Sequence, residues 1–307
     1  MIKLFYSLKP LIPRSVQIYL RRILVKIKRR KYKDVWPILQ NSATKPENWN
    51  GWPDGKQFAF VLTHDVEHQH GHDKCKQLLN AEKELGFKSS FNFVPERYTV
   101  SPELRKYISE NGYEVGVHGL NHDGKLFRSR EIFYERALKI NNYLKDWNSR
   151  GFRAPAMHHN LEWIKELNIE YDLSTFDTDP FEPQSDGVGT IFPFGVKDNE
   201  TKNSYVELPY TLVQDFTLFI LMREKNFNIW KEKLDWIANQ GGMALINVHP
   251  DYINFENKKL TEEFPIKYYS DFLKYVRNNY SGKYWNALPI EVARYFNAQT
   301  LTIKSDT

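Results

Sequence analysis

From Phe58 onward, short apolar runs alternate with stretches of helical periodicity. The runs at 58–63, 88–94, 113–117, 150–153, 170–173, 204–208 and 243–248 read as strands. Between them lie helices with recognisable ends. Asp73 is a candidate cap for a helix ending near Gly86. Ser101-Pro102 starts another that stops at Gly112, with proline at its first position, and a longer one runs from Ser129 to Trp147. Repeated strand–helix units predict a parallel sheet, and about seven strands favour a barrel over an open sheet. The expected fold is therefore α/β, an irregular (β/α)7-type barrel with a basic N-terminal helical extension. Residues 174–225 break the rhythm with Pro180, Pro183, Pro193 and Pro209, so a long loop or a small hairpin over the barrel mouth is expected there.

Residues 15–31 also have helical periodicity. Val16, Leu20, Ile23, Leu24 and Ile27 recur on one stripe, and Arg21, Arg22, Lys26, Lys28, Arg29 and Arg30 fill much of the rest. Two readings fit: an interfacial helix on an anionic membrane surface, or a helix docked by its apolar stripe with a solvated basic face. A stretch rich in Trp, Pro and Asn follows from Trp36 to Pro53. The expected organisation is a basic helical arm and linker over 1–52 and a barrel domain over 53–300, with inserted loops at 174–225.

Charge changes the picture. The formal +5 hides an asymmetry: the first 33 residues hold eleven Lys or Arg and no acid, while the remainder holds 32 basic and 38 acidic residues. A mildly acidic body argues against nucleic acid as a partner. The single cysteine, Cys75, excludes an internal disulfide and a cysteine-based metal site. No leader or membrane-length apolar run is visible, so the expected location is cytoplasmic, with peripheral contact at the inner face of the membrane through residues 15–31.

The candidate chemistry sits at predicted strand ends. The run Phe58 to Leu62 ends in Thr63-His64-Asp65-Val66-Glu67. Asp65 and Glu67 are two apart, so on a strand they face the same side. About fifty residues later comes His118-Gly-Leu-Asn-His122. Two carboxylates at one strand end and His-x3-His at another meet the needs of a catalytic metal site with a spare general base. Asp65, His118, Arg153, Asp172 and His249 each follow a predicted strand, where barrel chemistry collects. Each also has a bland reading: hydrogen-bonded loop histidines, an arginine bridging surface carboxylates, a structural histidine before Pro250. His68, His70 and His72 read as a solvated loop. Tyr98, Trp163, Phe181 and Trp230 offer sugar-stacking faces, though aromatics are mostly core.

Taken in order over roughly residues 56–250, these motifs resemble the NodB-type polysaccharide deacetylases, carbohydrate esterase family four, of the kind found in bacterial surface polysaccharide biosynthesis. The matching residues are the first-strand carboxylates, His118-x3-His122, Arg153-Ala154-Pro155, and His249 after the run Ala244 to Val248. Three departures stand out. Val66 takes the place of the second of two adjacent aspartates, so the spare carboxylate is Glu67. Ala156 stands where many members carry an aromatic residue. No clear Asp-x-x-Asp-Trp motif is present, and Asp172, Asp177 and Asp179 compete for its role.

The resemblance implies a metal-dependent hydrolase removing N-acyl groups from an amino sugar, in the making of lipopolysaccharide or a related glycan. Glu67, His118 and His122 would hold a divalent metal, zinc first among candidates. Asp65 would take the water proton, with Arg153 holding it ionised. The Ala156 N–H would join the oxyanion site and His249 would protonate the leaving amine. The opposite assignment, Asp65 on the metal, is the alternative. The implied partner is an amino-sugar-containing saccharide or its lipid-linked precursor. Alternative functions are a deformylase or other amidohydrolase on the same scaffold, and a catalytically silent saccharide-binding scaffold protein.

Overall fold

The structure is a computed structural model that describes residues 13–197, 204–256 and 261–302. Its centre is a curled, mostly parallel sheet. The strands are β1 (Phe58–Val66), β2 (Ser89–Phe93), β3 (Glu114–His118), β4 (Gly151–Arg153), β5 (Tyr171–Asp172), β6 (Phe194–Lys197), β7 (Ser204–Glu207) and β8 (Met243–Asn247), with β9 (Ile253–Asn254), β10 (Phe264–Pro265) and β11 (Tyr284–Asn286) beyond. The long strand β1 anchors the sheet. It pairs with β2 and β11 along one edge and with β8 along the other, all in parallel. From β2 the order continues through β3, β4, β5 and β7, and β6 closes an antiparallel hairpin on β7. A single parallel bridge, Leu212 to Ile246, joins the chain after β7 to β8 and completes the barrel-like curl.

All seven expected strands form. The small hairpin expected within 174–225 is β6–β7, whose first strand is not among the seven, and the short strands β9 to β11 were not anticipated. The stretch 174–225 is less a cover over the mouth than part of the wall: it supplies β6, β7, the Leu212 bridge and a π-helical turn at Phe216–Leu221.

The sheet's two faces follow the period of two. Phe58, Phe60 and Leu62 face outward with Phe91, Phe93, Trp230 and Phe272. Ala59 and Val61 face inward with Tyr171, Val206 and Leu245. Thr63 and Asp65 share the inward parity and are buried, so β1 delivers its carboxylate into the curl. His64 has the outward parity. Its two ring nitrogens meet Val248 O at 2.9 Å and Glu82 Oε1 at 2.8 Å, which makes it part of the packing.

The helices are α1 (Arg14–Lys31), α2 (Gln69–Glu84), α3 (Pro102–Glu110), α4 (Arg130–Asp146), α5 (Leu161–Ile164), α6 (Asn228–Gln240), α7 (Ile266–Tyr280) and α8 (Pro289–Thr302). Ser101 and Ser129 cap α3 and α4 by accepting from Leu104 N and Ile132 N. The start of α2 corrects the sequence reading. Asp73 lies inside it, and the helix begins at Gln69 without a side-chain cap. Gly71 explains this: a Cβ there would fall 2.2 Å from the Asp251 carboxylate, so only glycine lets this turn pack on Asp251. His70 and His72 therefore lie in the first turn of α2, directly after His68, and not in a solvated loop.

Helix α1 docks on the body, but not by its apolar stripe. Its buried residues are Gln17, Ile18 and Val25, whereas Val16, Leu20, Ile23, Leu24 and Ile27 are exposed. The stretch after it packs as well: Trp36 is buried edge-on against Phe181 at 4.9 Å. No helix among the described residues is long and apolar enough to cross a membrane.

Candidate metal centre and its acid–base groups

Asp65, at the inward end of β1, is the most heavily supported group of the site. Its Oδ1 accepts from Asn92 Nδ2 at 3.0 Å and Arg153 Nη1 at 3.2 Å. Its Oδ2 accepts from Asn247 Nδ2 at 2.8 Å and faces His118 Nε2 at 3.8 Å. A carboxylate has about four lone-pair sites, so the open one lies on Oδ2, toward the histidines. Burial alone would raise this carboxyl. The Arg153 guanidinium, then His118 and His249, outweigh burial and hold it far below the usual carboxylate range. Arg153 is itself fully buried, fixed by bonds to Leu173 O at 3.0 Å and Thr63 Oγ1 at 2.9 Å.

Glu67, His118 and His122 form the second part. One donor atom from each lies within 4.8 Å of the others, and Asp65 is outside that grouping. Glu67 Oε1 lies 3.0 Å from His122 Nε2, and Glu67 Oε2 accepts from Tyr252 OH at 2.9 Å. Asp251 fixes the backbone by accepting from the Glu67 N–H at 2.9 Å. Burial would raise the Glu67 carboxyl, but His122 pulls it well below its ordinary value. His118 donates from Nδ1 to Arg153 O at 3.1 Å, which leaves Nε2 to face the site. Burial pushes its pKa down to about 4 against the opposing pull of Asp65, so the ring is neutral at neutral pH, as a metal ligand requires. His122 adopts a left-handed backbone, φ 54°, and its buried Nε2 is turned to Glu67 Oε1 at 3.0 Å. Two imidazole nitrogens and a carboxylate oxygen brought within 4.8 Å of one another are a donor set suited to a divalent ion.

His249 lies close enough to act electrostatically on both Asp65 and Glu67. Its Nδ1 lies 2.6 Å from Asp215 Oδ1, and its amide donates to Asp215 Oδ2 at 2.8 Å. Burial would lower its pKa, but Asp215, with Glu67 and Asp65 behind it, raises it to about 10. The ring is thus a held imidazolium with Nε2 turned away from its partner.

Beside His122 opens a cleft of about 330 Å³, lined by Leu120, Phe127, Pro155, His158, Asn160 and Gln184 among others. Ala156, next to the cleft-lining Pro155, is exposed, and both it and the buried Met157 have left-handed backbone at φ 54°. Such backbone costs roughly 1–3 kcal/mol per residue and persists where its surroundings hold it.

Other candidates are not brought together. Asp172 accepts from Ser174 Oγ, Asp177 pairs with Lys233 Nζ, and Asp179 accepts from Tyr210 OH. His249 is oriented by none of the three; its partner is Asp215, which the sequence reading passed over. Trp230 and Phe181 are buried in the core, Trp163 packs on Phe127 and Phe133, and Tyr98 OH donates to Val66 O. His68, His70 and Asp251 also cluster. There Asp251 is committed to Glu67, and the Arg97 guanidinium approaches His68 Nε2 at 2.6 Å, where it would repel a cation.

No protein-family model matches the chain, and no curated protein matches it in sequence. Solved structures do match. A protein named as a polysaccharide deacetylase from Mycobacterium smegmatis aligns with a TM-score of 0.64 and 20% identity, over 83% of this chain and 96% of that one. The Puue allantoinase aligns with a TM-score of 0.65 and 15% identity, over 83% and 94%. A protein named as a polysaccharide deacetylase from Pseudomonas aeruginosa PAO1 gives 0.64 and 15%, over 83% and 95%. At these identities the likeness establishes the fold, which polysaccharide deacetylases and an allantoinase share.

Proposed function

We propose that this chain, which has the deacetylase fold, is a metal-dependent amide hydrolase that removes an N-acyl group from an amino sugar. The observation that carries the reading is the gathering of an ionised, open Asp65 with the Glu67–His118–His122 donor set and the His249–Asp215 pair. Val66 does not remove the second carboxylate, because Glu67 reaches the histidines from the next inward-facing position. That favours an active enzyme over a silent scaffold.

Glu67, His118 and His122 would hold a divalent ion, with zinc favoured by two imidazoles and a carboxylate, and that ion would supply Lewis acidity toward the acyl carbonyl and acidify a water. The protein's own groups do the rest. Asp65 Oδ2 accepts a proton from the attacking water. Asn92, Asn247 and Arg153 keep this carboxylate ionised and aimed. The Ala156 N–H, one residue after the cleft-lining Pro155, is the proposed donor to the developing oxyanion. His249 Nε2 gives its proton to the leaving nitrogen as the C–N bond breaks. The acyl group thus gains the hydroxyl and the sugar keeps a free amine. Asp215 is a positioning residue that maintains the charged imidazolium.

The cleft beside His122 offers an apolar wall, Leu120 and Phe127, opposite polar groups from His158, Asn160 and Gln184. That mixture suits a sugar ring, whose faces are apolar and whose rim is polar. We place the reaction in the synthesis of lipopolysaccharide or a related surface glycan. A second reading is amidohydrolysis of a substrate that is not a saccharide, favoured by the allantoinase likeness. The test is amine release from zinc-reconstituted protein given N-acetylglucosamine oligomers and N-formyl amino sugars, with ring opening of allantoin as the comparison. Turnover of an amino sugar, abolished in Asp65→Asn, supports the proposal. Turnover of allantoin alone replaces it with the second reading.

A further inference from the structure

Helix α1 is turned inside out relative to an ordinary surface helix. Four of its cations reach the body: Arg14 pairs with Glu262 at 2.9 Å and Arg29 with Glu224 at 2.6 Å. Arg22 donates to Ile220 O at 3.0 Å and Lys28 to Pro180 O at 2.6 Å. Its large apolar side chains face outward. Tyr19, Leu24 and Ile27 are 63%, 56% and 59% exposed, and Val16, Leu20 and Ile23 accompany them at three- and four-residue spacing. Among the described residues, the only other large hydrophobics so exposed are Val35 and Leu138, and Val35 lies just past the end of this helix. Single exposed apolar residues mean little, but a contiguous stripe on one helix marks a surface that something covers. Lys26, Arg30 and Lys31, all exposed, flank the stripe.

We infer that this face is a docking surface for an anionic lipid bilayer. Apolar side chains flanked by cations match the acyl–headgroup boundary of such a membrane. The body beneath carries more acid than base and would be repelled by the same lipids, so it is the helix that makes contact. The docked face leads directly to the candidate site. The Arg21 guanidinium sits 4.8 Å from the Phe216 ring, Phe216 packs on Tyr252 at 4.8 Å, and Tyr252 packs on His249 at 5.2 Å while donating to Glu67. The bilayer would thus lie about one helix diameter, roughly 10 Å, beyond this aromatic chain. The consequence, that the N-acyl sugar is carried on a lipid at that surface, rests on the amide-hydrolase reading above; the docking does not.

The test is co-sedimentation of the full chain with vesicles of phosphatidylcholine alone or mixed with phosphatidylglycerol. The protein should pellet with the anionic vesicles at low salt and be released at high salt. The triple variant Leu20→Ser, Leu24→Ser, Ile27→Ser should pellet at least roughly tenfold less, with an unchanged melting temperature, because these side chains face away from the body. The triple variant Lys26→Glu, Arg30→Glu, Lys31→Glu should lose the preference for anionic over neutral vesicles. Three results would overturn the inference. The wild type could stay in the supernatant. The serine variant could melt several degrees lower, in which case another part of the chain covers the stripe. The wild type could be a dimer that this variant converts to monomer, in which case a second copy does. No turnover enters these readouts, so their failure is separate from failure of the proposed reaction.

Discussion

His249 and Asp215 are joined twice: ring Nδ1 to one carboxylate oxygen at 2.6 Å, and backbone N–H to the other at 2.8 Å. The two hydrogen bonds to one buried carboxylate fix the ring and its charge together. Burial would lower the imidazole, and Asp215 reverses this, to about 10. The sign follows: the raised pKa favours the charged form, and that contribution is complete below the ordinary histidine value and lost as pH rises through about 10.

Asp215→Asn should therefore move the basic limb of the kcat profile toward lower pH. At alkaline pH, kcat should fall by up to the roughly 10²–10⁴-fold that general acid catalysis contributes. KM should change less, since Asp215 is fully buried behind His249. A pH–rate profile checks this. A basic limb at the same pH in wild type and variant would leave Asp215 a packing residue only.

Gly116 and Asn92 face each other across β2 and β3. A Cβ at 116 would lie 2.0 Å from Asn92 Oδ1, so Gly116→Ala should push Asn92 off Asp65. Losing a donor to the charged form raises the carboxyl, and overpacking costs roughly 1–3 kcal/mol. Kinetics on folded protein should show a kcat loss that Asn92→Ala shares. A loss unique to the Gly116 variant would place the effect elsewhere.

Asn92 and Asn247 show what was legible in the sequence and what was not. Asp65, Glu67, His118, Arg153 and His249 lie at or just past the ends of apolar runs, where a strand must stop, with His122 four residues beyond His118, so short-range pattern singled them out as candidates. Asn92 and Asn247 left a fainter mark: each is a polar residue inside an apolar strand, and Asn247 lies two before His249. Buried strands carry such residues only when bonded, so that exception was a usable signal. Asp215 left none, because no strand precedes it and its partner lies 34 positions on. The fold class followed from alternating elements, whereas β6 and β11 are short edge strands whose pairing only three dimensions reveal. For α1, periodicity identified the stripe but not which face docks. The ion pairs of Arg14 and Arg29 decide that, and both partners are distant in sequence.

Glu114 links stability to pH. Burial raises its pKa to about 7 despite bonds from Tyr171 OH at 2.8 Å and Ile290 N–H at 3.2 Å. A carboxyl raised on folding holds its proton more tightly in the native state, so stability falls as pH rises from 4.5 toward about 7. Glu114→Gln should flatten that slope, seen as melting temperature against pH. A slope unchanged by the substitution would mean that another group carries it.

The division of labour between Asp65 and Glu67 is the centre of the account. The most direct measurement is metal content and turnover, side by side, for Asp65→Asn and Glu67→Gln after zinc reconstitution. Asp65→Asn should keep about one ion per chain and lose roughly a hundredfold or more in kcat. Glu67→Gln should lose the ion, as should His118→Ala and His122→Ala, since removing a ligand removes most affinity. Reversed behaviour of the two carboxylate variants would put Asp65 on the metal, and full activity in both would contradict the mechanism.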